Sequence, residues 1–320
     1  MNLLSSILKV KVPRNFLLHE AKRLYKEFPD EYRVWAELTW KYDTSPVTKM
    51  EIFQLKPANT EMSTLDLLNY ISSSKHDLNL TNPRGYSHQR QAGQGTYGVV
   101  NLYSNQRNNQ PNLAIKQMRP NSSDAFAEIA AYALTDLNKC RGILKMKDYD
   151  FDTQFCLLGL PAADKDLSDY VQDKINAGTK VQNPDRLAKK LLYALSCLQK
   201  CGIINTDIKP KNVLMIKDDP IIADFGVISY HINVNDNVQY TANYRPPEYF
   251  LPNPPISSFQ GDCWAMAKTI YYIYTGDSDY DRQNPPSYRN RIALIPYIKR
   301  EFRNSVKDKA LADQLVRMID

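Results

Sequence analysis

The strongest constraint on the fold is the stretch from Ile203 to Leu214, which places three polar side chains at fixed offsets between two apolar segments. The stretch contains a carboxylate at Asp207, an ammonium at Lys209 and an amide at Asn212. A carboxylate accepts the proton of an attacking hydroxyl, a cation steadies a transferring phosphate, and an amide oxygen helps to hold Mg²⁺. The stretch therefore predicts a loop equipped for phosphoryl transfer.

A second carboxylate follows, because the apolar run Ile221–Ala223 ends at Asp224, Phe225 and Gly226. Together the two stretches resemble the catalytic loop and the Asp-Phe-Gly metal loop of eukaryotic-type (Hanks-type) Ser/Thr protein kinases. The resemblance implies an α+β, bilobal fold with a small β-rich N-lobe and a mainly helical C-lobe. It also implies ATP and Mg²⁺ (or Mn²⁺) as cofactors and protein hydroxyls as phosphate acceptors. In this resemblance Asp207 is the catalytic carboxylate, and the metal ligands are Asn212 and Asp224.

A glycine-rich segment upstream follows the pattern G-x-G-x-x-G-x-V from Gly93 to Val100. Dinucleotide-binding folds share this glycine spacing, but there the turn enters a helix. Here Val99–Ser104 alternates like a strand, and a second predicted strand, Leu113–Lys116, follows an Asn/Gln-rich turn. The resemblance therefore assigns ATP binding to Gly93, Gly95, Thr96, Gly98, Val100, Ala114, Lys116, Leu160, Ala163 and Leu214.

Lys116 resembles the strand lysine of the family that pairs with the α- and β-phosphates; the alternative is a lysine on the surface. The segment Ala125–Leu134 is rich in helix formers. Within that segment Glu128 is the carboxylate placed to pair with Lys116. We therefore expect an ion pair between these two residues.

A predicted strand over Phe155–Pro161 leads towards the hinge of the family. The pair Asp166-Leu167 aligns with the Asp-Leu pair that opens the next helix in cyclin-dependent and MAP kinases. This alignment makes Leu160 the gatekeeper and Ala163 a hinge contact.

The helix predicted over Pro184–Cys201 is strongly amphipathic and delivers the catalytic loop. The family's His-Arg-Asp reads Asn205-Thr206-Asp207 here, so the arginine is absent. In kinases that carry it, this arginine pairs with a phosphorylated residue of the activation segment and orders that segment. We therefore expect a kinase of the non-Arg-Asp type that does not depend on activation-loop phosphorylation.

Two features resemble kinases that act on serine and threonine. Lys209 lies two residues after Asp207, and the segment from Thr241 to Glu248 matches the substrate platform of cyclin-dependent and MAP kinases. In the resemblance, the hydroxyl of Thr241 bonds to Asp207 and Lys209, and Asp262 caps the backbone of the catalytic loop. The catalytic residues expected from the resemblance are Asp207, Lys209, Lys116, Glu128 and Thr241.

Helices are predicted near the end of the sequence, over Arg291–Phe302 and Lys307–Ile319. The family pairs the platform glutamate, here Glu248, with a late arginine. Either that arginine is missing, or Arg289 or Arg291 replaces it, or the sequence is truncated.

Residues 1–85 carry no catalytic constellation. Helical spacing of apolar residues predicts helices over Arg14–Phe28 and Glu31–Tyr42, and a capping pattern predicts a third over Thr64–Ser72. Asn79–Arg90 is mostly polar and is predicted to be a linker. The segment is either a helical buttress of the kinase lobe or a module for partner docking or targeting. The predicted domains are an N-terminal extension at 1–85, an N-lobe with hinge at 86–163 and a C-lobe at 164–320.

Composition narrows the class of protein. Charged residues make up 24% of the chain and the net charge is +6, with lysines and arginines spread along the sequence, which favours a solvated surface over nucleic-acid binding. The five cysteines contain no C-x-x-C pair, and Cys197 and Cys201 are expected to be packed thiols in a reducing compartment. The first residues of the sequence include no basic region before their short apolar run, which argues against a signal peptide. No apolar run is nearly as long as a membrane-spanning helix requires. We therefore expect a cytoplasmic protein.

Three functions are consistent with the sequence. The first is an active Ser/Thr protein kinase, since every chemical group is present. The second is a pseudokinase or scaffold that binds partner proteins, and the third is a small-molecule kinase of the aminoglycoside or choline type. The platform from Thr241 to Glu248 argues against the third. The composition is typical of a bacterial effector or a viral kinase, which would place the chain in a host cytosol.

Overall fold

The computed structural model describes residues 70–71, 73, 78–95, 98–106, 112–118, 123–151, 156–226, 229–230, 240–251, 259–277 and 287–319. The helices predicted over 14–28 and 31–42, most of the helix over 64–72, and Thr96 lie outside these residues. The chain divides into two compact units. The first runs to Lys139 and includes Leu144–Ala162, and the second comprises Cys140–Ile143 and the chain from Ala163 onwards. The three-part domain division stays a prediction.

The first unit is built on an antiparallel sheet of five strands in the order β1-β2-β3-β5-β4. The strands predicted over Val99–Ser104, Leu113–Lys116 and Phe155–Pro161 are confirmed as β2, β3 and β5. A helix, α1, lies between β3 and β4 in the chain. The elements are β1 (Tyr86–Gly95), β2 (Gly98–Asn105), β3 (Leu113–Met118), α1 (Ser123–Leu137), β4 (Asp148–Phe151) and β5 (Cys156–Pro161).

Alternation along β3 separates two faces of the sheet. Leu113 and Ile115 point to one face, where they pack with Leu80 and Leu157 in a buried apolar cluster. The linker predicted over 79–90 is therefore wrong: Leu80 is 2% exposed, and Tyr86 opens β1. The prediction failed because most residues of the segment are polar, although the sheet buries the apolar side chains that lie among them.

The second unit is mainly helical and contains two small sheets, β6-β8-β9 and β7-β10. Its strands are β6 (Lys165–Asp166), β7 (Ile203–Ile204), β8 (Val213–Ile216), β9 (Asp219–Ile222) and β10 (Ser229–Tyr230). Its helices are α2 (Leu167–Asn176), α3 (Pro184–Lys200), α4 (Phe259–Thr275), α5 (Tyr288–Ser305) and α6 (Lys309–Met318). Asp166 caps α2 as the alignment predicts, because its carboxylate accepts a hydrogen bond from the Asp169 N–H. None of the helices that the structure describes is both long enough and apolar enough to cross a bilayer.

The amphipathic helix predicted near the catalytic loop is confirmed as α3. Proline occupies its first turn, where no intrahelical N–H bond is lost. Its buried face carries small and branched apolar side chains: Leu187, Ala188, Leu191, Ala194, Leu195 and Leu198. This packing fixes the position of the end of α3. The short strand β7 begins soon after it and leads directly into the catalytic loop.

The cysteines of the second unit differ from the prediction. Cys197 of α3 forms a disulfide with Cys140, which lies 57 residues earlier, so it is not a free packed thiol. Cys201 is a buried free thiol, as expected, and its sulfur lies 3.9 Å from that of Cys140. A helical spacing shows that Cys197 and Cys201 share a face, but it does not reveal a partner from another part of the chain.

Candidate active site

In the first unit, Lys116 on β3 meets Glu128 on α1. The Lys116 ammonium donates to both carboxylate oxygens of Glu128, at 2.9 and 2.8 Å, which confirms the predicted ion pair. The two side chains are 8% and 1% exposed. The alternative of a surface lysine is therefore wrong. A buried pair of this kind holds the ammonium in one place, because either charge alone is strongly disfavoured away from water.

Three of the nucleotide-binding residues predicted in the first unit share a face of the sheet with Lys116. Val100 on β2 is directly opposite Lys116, and Ala114 is directly opposite Leu160 on β5. Since alternate residues share a face, all four belong to the face of the sheet that carries Lys116. They are compact apolar residues beside one cation, which suits an adenine nucleotide.

The glycine-rich segment forms the hairpin between β1 and β2, with Gly95 paired to Gly98. A side chain at Gly98 is excluded, since its Cβ would lie 2.3 Å from the carbonyl oxygen of Gln117. By contrast, a Cβ at Gly93 would meet nothing within 4 Å. Gly98 is therefore needed for strand packing, whereas the fold has room for a side chain at Gly93, whose role in nucleotide binding stays a prediction.

In the second unit, a buried carboxylate holds the backbone of the catalytic loop. Asp262, fully buried on α4, accepts the backbone N–H groups of Asn205 at 2.7 Å and Thr206 at 3.0 Å. The predicted capping role of Asp262 is thus confirmed. Thr206 has a φ of 59°, which is uncommon for a β-branched residue, and these bonds hold it there. Burial raises the pKa of Asp262 to about 7, against hydrogen bonds from the two N–H groups and the Tyr240 hydroxyl that lower it.

Asp207, Lys209 and Thr241 form a triangle of hydrogen bonds. The Lys209 ammonium donates to the two carboxylate oxygens of Asp207 at 3.0 and 2.8 Å, and the Thr241 hydroxyl donates to Oδ1 at 2.5 Å. Lys209 also donates to the Thr241 oxygen at 2.9 Å. The contacts expected of Thr241 are therefore present. Asp207 and Lys209 remain partly accessible, with 12% and 22% of their side chains exposed, so a ligand could reach both.

Asn212 and Asp224 adjoin each other through the strand pair β8-β9. The Ala223 N–H donates to the Asn212 carbonyl at 2.9 Å, which brings the following residue, Asp224, beside Asn212. The Asn212 amide nitrogen donates to the carbonyl and carboxylate of Asp207, at 2.9 and 2.8 Å. Its side-chain oxygen is consequently the atom offered to a ligand. An amide oxygen and a carboxylate are donors that Mg²⁺ prefers, so the residues fit the predicted ion.

The two remaining predicted nucleotide contacts belong to the second unit. Leu214 lies on β8, opposite Ile221, and is half-buried. Ala163 is half-buried and precedes Asp164, whose N–H donates to the Met215 carbonyl at 3.3 Å. Both residues therefore lie near β8, and their roles in nucleotide binding stay predictions.

Two buried residues near Thr241 complete the setting of the loop. Arg291 on α5 is fully buried and donates from Nη2 to the Ala242 carbonyl at 3.0 Å. Of the two arginines named for this region, Arg289 is exposed, so Arg291 is the one that reaches the platform segment. Tyr240, 2% exposed, was missed by sequence reasoning. An aromatic residue preceding Thr241 gives no local signal of a role, because its partner lies on a distant helix.

The chain belongs to the protein kinase family, since the family model for the protein kinase domain matches residues 86–318. The probable serine/threonine-protein kinase irlC of Dictyostelium discoideum is 26% identical over 206 residues, which cover 58% of this chain and 14% of that protein. The probable serine/threonine-protein kinase FMP48 of Saccharomyces cerevisiae is 28% identical over 167 residues, covering 45% of each chain. A probable cell division protein kinase of Encephalitozoon cuniculi is 22% identical over 233 residues, covering 71% of this chain and 85% of that protein. The chain thus spans less than half the length of the first two of these relatives.

Proposed function

We propose that this chain is an active Ser/Thr protein kinase that transfers the γ-phosphoryl group of ATP to protein hydroxyls. The observation that carries the proposal is the triangle of Asp207, Lys209 and Thr241. It joins the catalytic carboxylate, a cation and the first residue of the platform segment in one hydrogen-bonded unit. The names of two of the relatives as serine/threonine-protein kinases agree with it.

Each residue has a definite task in this reaction. The carboxylate of Asp207 accepts the proton of the substrate hydroxyl, and Lys209 steadies the negative charge on the phosphoryl group in transit. Glu128 holds Lys116 for the α- and β-phosphates. Asn212 and Asp224 supply the oxygen ligands for the metal ion. When bound, Mg²⁺ neutralises phosphate charge and ATP supplies the phosphoryl group.

We also propose that activity does not require phosphorylation of the activation segment. The residue before Asp207 is Thr206, so the arginine that would pair with a phosphate there is absent. The Thr206 side chain is 2% exposed and its backbone is bonded to Asp262. The location in the cytoplasm and a docking role for residues 1–85 remain proposals beside this one.

A radiolabelled ATP assay with Mg²⁺ tests the proposed function. The wild type is compared with Asp207→Ala and Lys116→Met, on the protein itself and on a generic basic protein substrate. We expect phosphate on serine or threonine with the wild type, and its loss in both variants. Wild-type protein that binds ATP in a thermal-shift experiment but transfers no phosphate would instead support a scaffold. Activity that disappears after phosphatase treatment would overturn independence from phosphorylation.

A further inference from the structure

Tyr240 is fixed at both its ring and its backbone. Its ring packs edge-on against Tyr249, with the ring centroids 4.9 Å apart. Its carbonyl accepts two hydrogen bonds from Arg245, from Nε at 3.2 Å and Nη2 at 2.9 Å. The side chain is 2% exposed, although the next residue, Thr241, is only half-buried. Such a setting determines where the phenol hydroxyl is directed.

The hydroxyl of Tyr240 is directed at the start of α4. A Cβ added to Gly261 would lie 2.1 Å from the Tyr240 oxygen, so the phenol lies directly on the helix surface and requires glycine there. The same hydroxyl hydrogen-bonds the carboxylate of Asp262. Asp262 is therefore shared: it holds the Tyr240 hydroxyl and also the backbone of Asn205 and Thr206.

Two adjacent residues thus connect to the stretch from Asn205 to Asp207, one through Asp262 and the other directly. Tyr240 is bonded to Asp262, which holds Asn205 and Thr206, while Thr241 is bonded directly to Asp207. The start of the platform segment is consequently attached to the catalytic loop at two points, through Asp262 and through Asp207. Movement of the segment at Tyr240 would displace the Thr241 hydroxyl from Asp207.

We propose that Tyr240 is a positioning residue for phosphoryl transfer, which holds the platform segment against the catalytic loop through Asp262. The inference rests on the proposed kinase function. It supplies a physical reason for independence from phosphorylation, because a neutral hydroxyl bond provides the attachment that a phosphate and an arginine provide in other kinases.

The hydroxyl also affects the protonation of Asp262. Burial favours the neutral acid, while the N–H groups of Asn205 and Thr206 and the Tyr240 hydroxyl favour the carboxylate. Its neighbour in the helix, Cys263, carries a titratable thiol, whose pKa is raised by burial and, to a smaller extent, by the charge of Asp262. Removing the hydroxyl raises the pKa of Asp262 further. As the pH falls, the ionised carboxylate that still accepts the Asn205 and Thr206 N–H groups is then lost at a higher pH.

Tyr240→Phe tests this inference, with Tyr249→Phe as the matched control in the same ring pair. We measure kcat and the KM values for ATP and for a protein substrate across the acidic and neutral pH range, together with the melting temperature. For Tyr240→Phe we expect kcat at neutral pH to fall about tenfold, the order expected for a hydrogen bond to a charged group. The acidic limb of its kcat–pH profile should move to higher pH, while the KM for ATP is unchanged. Tyr249→Phe should retain the wild-type limb.

Gly261→Ala provides a second route, because a methyl group there displaces the phenol without changing Tyr240 itself. It should reproduce the shift of the acidic limb. A Tyr240→Phe protein with the kcat of the wild type and the same acidic limb in its kcat–pH profile would overturn the inference. So would a lower kcat that is uniform in pH and matched by a lower melting temperature, since that result indicates a purely structural role.

Failure of the proposed function is a separate outcome. If the wild type transfers no phosphate, the coupling is tested by the pH dependence of the melting temperature. Because the pKa of Asp262 is raised in the folded state, its contribution to stability is present at low pH and declines as the pH rises through that pKa. With the coupling, this decline extends to higher pH in Tyr240→Phe; identical profiles would overturn it.

Discussion

The two charged clusters of this protein differ in how far they are removed from water. In the first unit, Lys116 and Glu128 are almost fully buried, and each depends on the other to offset the loss of water. In the second unit, Asp207 and Lys209 keep contact with solvent and share hydrogen bonds with Asn212 and Thr241. Removing one charge of a buried pair lowers folding stability, because the other charge is left without a partner and away from water. A partly exposed network can lose a charge without unfolding, because water replaces the lost contacts. Mutations should therefore affect stability at the first cluster and mainly rate at the second.

The largest effect is expected at Asp207. Asp207→Asn keeps the shape of the side chain but removes the proton acceptor, so kcat should fall by about 10²–10⁴-fold. The melting temperature should change little, because the network is partly solvated. Steady-state kinetics and calorimetry measure both. The control is Asp173→Asn, the same chemical change at an exposed partner of Lys165. Loss of the fold in Asp207→Asn would contradict the comparison.

The buried pair should respond in the opposite way. Glu128→Ala leaves the Lys116 ammonium buried without its carboxylate and should lower the free energy of unfolding by about 3–5 kcal/mol. The double variant Lys116→Met/Glu128→Leu removes both charges and should recover most of that loss, as measured by denaturant unfolding. It should nevertheless transfer no phosphate, since the cation for the nucleotide is gone. A double variant as unstable as Glu128→Ala would show that packing, rather than charge, dominates there.

The disulfide tests the same comparison within the second unit. The stability of that unit should depend on groups outside the hydrogen-bonded cluster around Asp207. Cys197→Ser opens the link to Cys140 across 57 residues and should cost about 2–4 kcal/mol of unfolding free energy. Cys263→Ser removes one of the free thiols and serves as the control. Chemical denaturation with and without reductant gives the measurement. Finding five reactive thiols in the unfolded, unreduced protein would show that the bond does not form.

The smallest effect is expected at Thr241, where one hydroxyl bridges Asp207 and Lys209. Thr241→Ala should lower kcat by about tenfold, and the change in unfolding free energy should be about 1 kcal/mol. Thr241→Ser preserves the hydroxyl and should keep most of the activity. Equal activities of the alanine and serine variants would mean that the bridge does not contribute to the reaction.

The sequence allowed the pair Lys116–Glu128 and the contacts of Thr241 to be predicted, because the order and spacing of the motifs resemble a known family. Strand β2 was predicted from the alternation of residue types, and β3 and β5 were predicted from short apolar stretches and their place in the resemblance. The prediction failed at Leu80, which was assigned to a polar linker although the sheet buries it. It was also wrong at Cys197, which forms a disulfide with a partner outside its own helix.

What the sequence alone determined are the local patterns and the chemical groups: a carboxylate, a cation and an amide at fixed offsets in one loop. Only the tertiary structure decided which distant residues hold that loop. Tyr240 meets Asp262, Arg291 meets the Ala242 carbonyl, and Cys140 meets Cys197. The physical reason is that hydrogen-bond offsets and side-chain alternation are fixed within a few residues. Pairing across long separations depends instead on how whole helices pack, and no short window of the sequence records that.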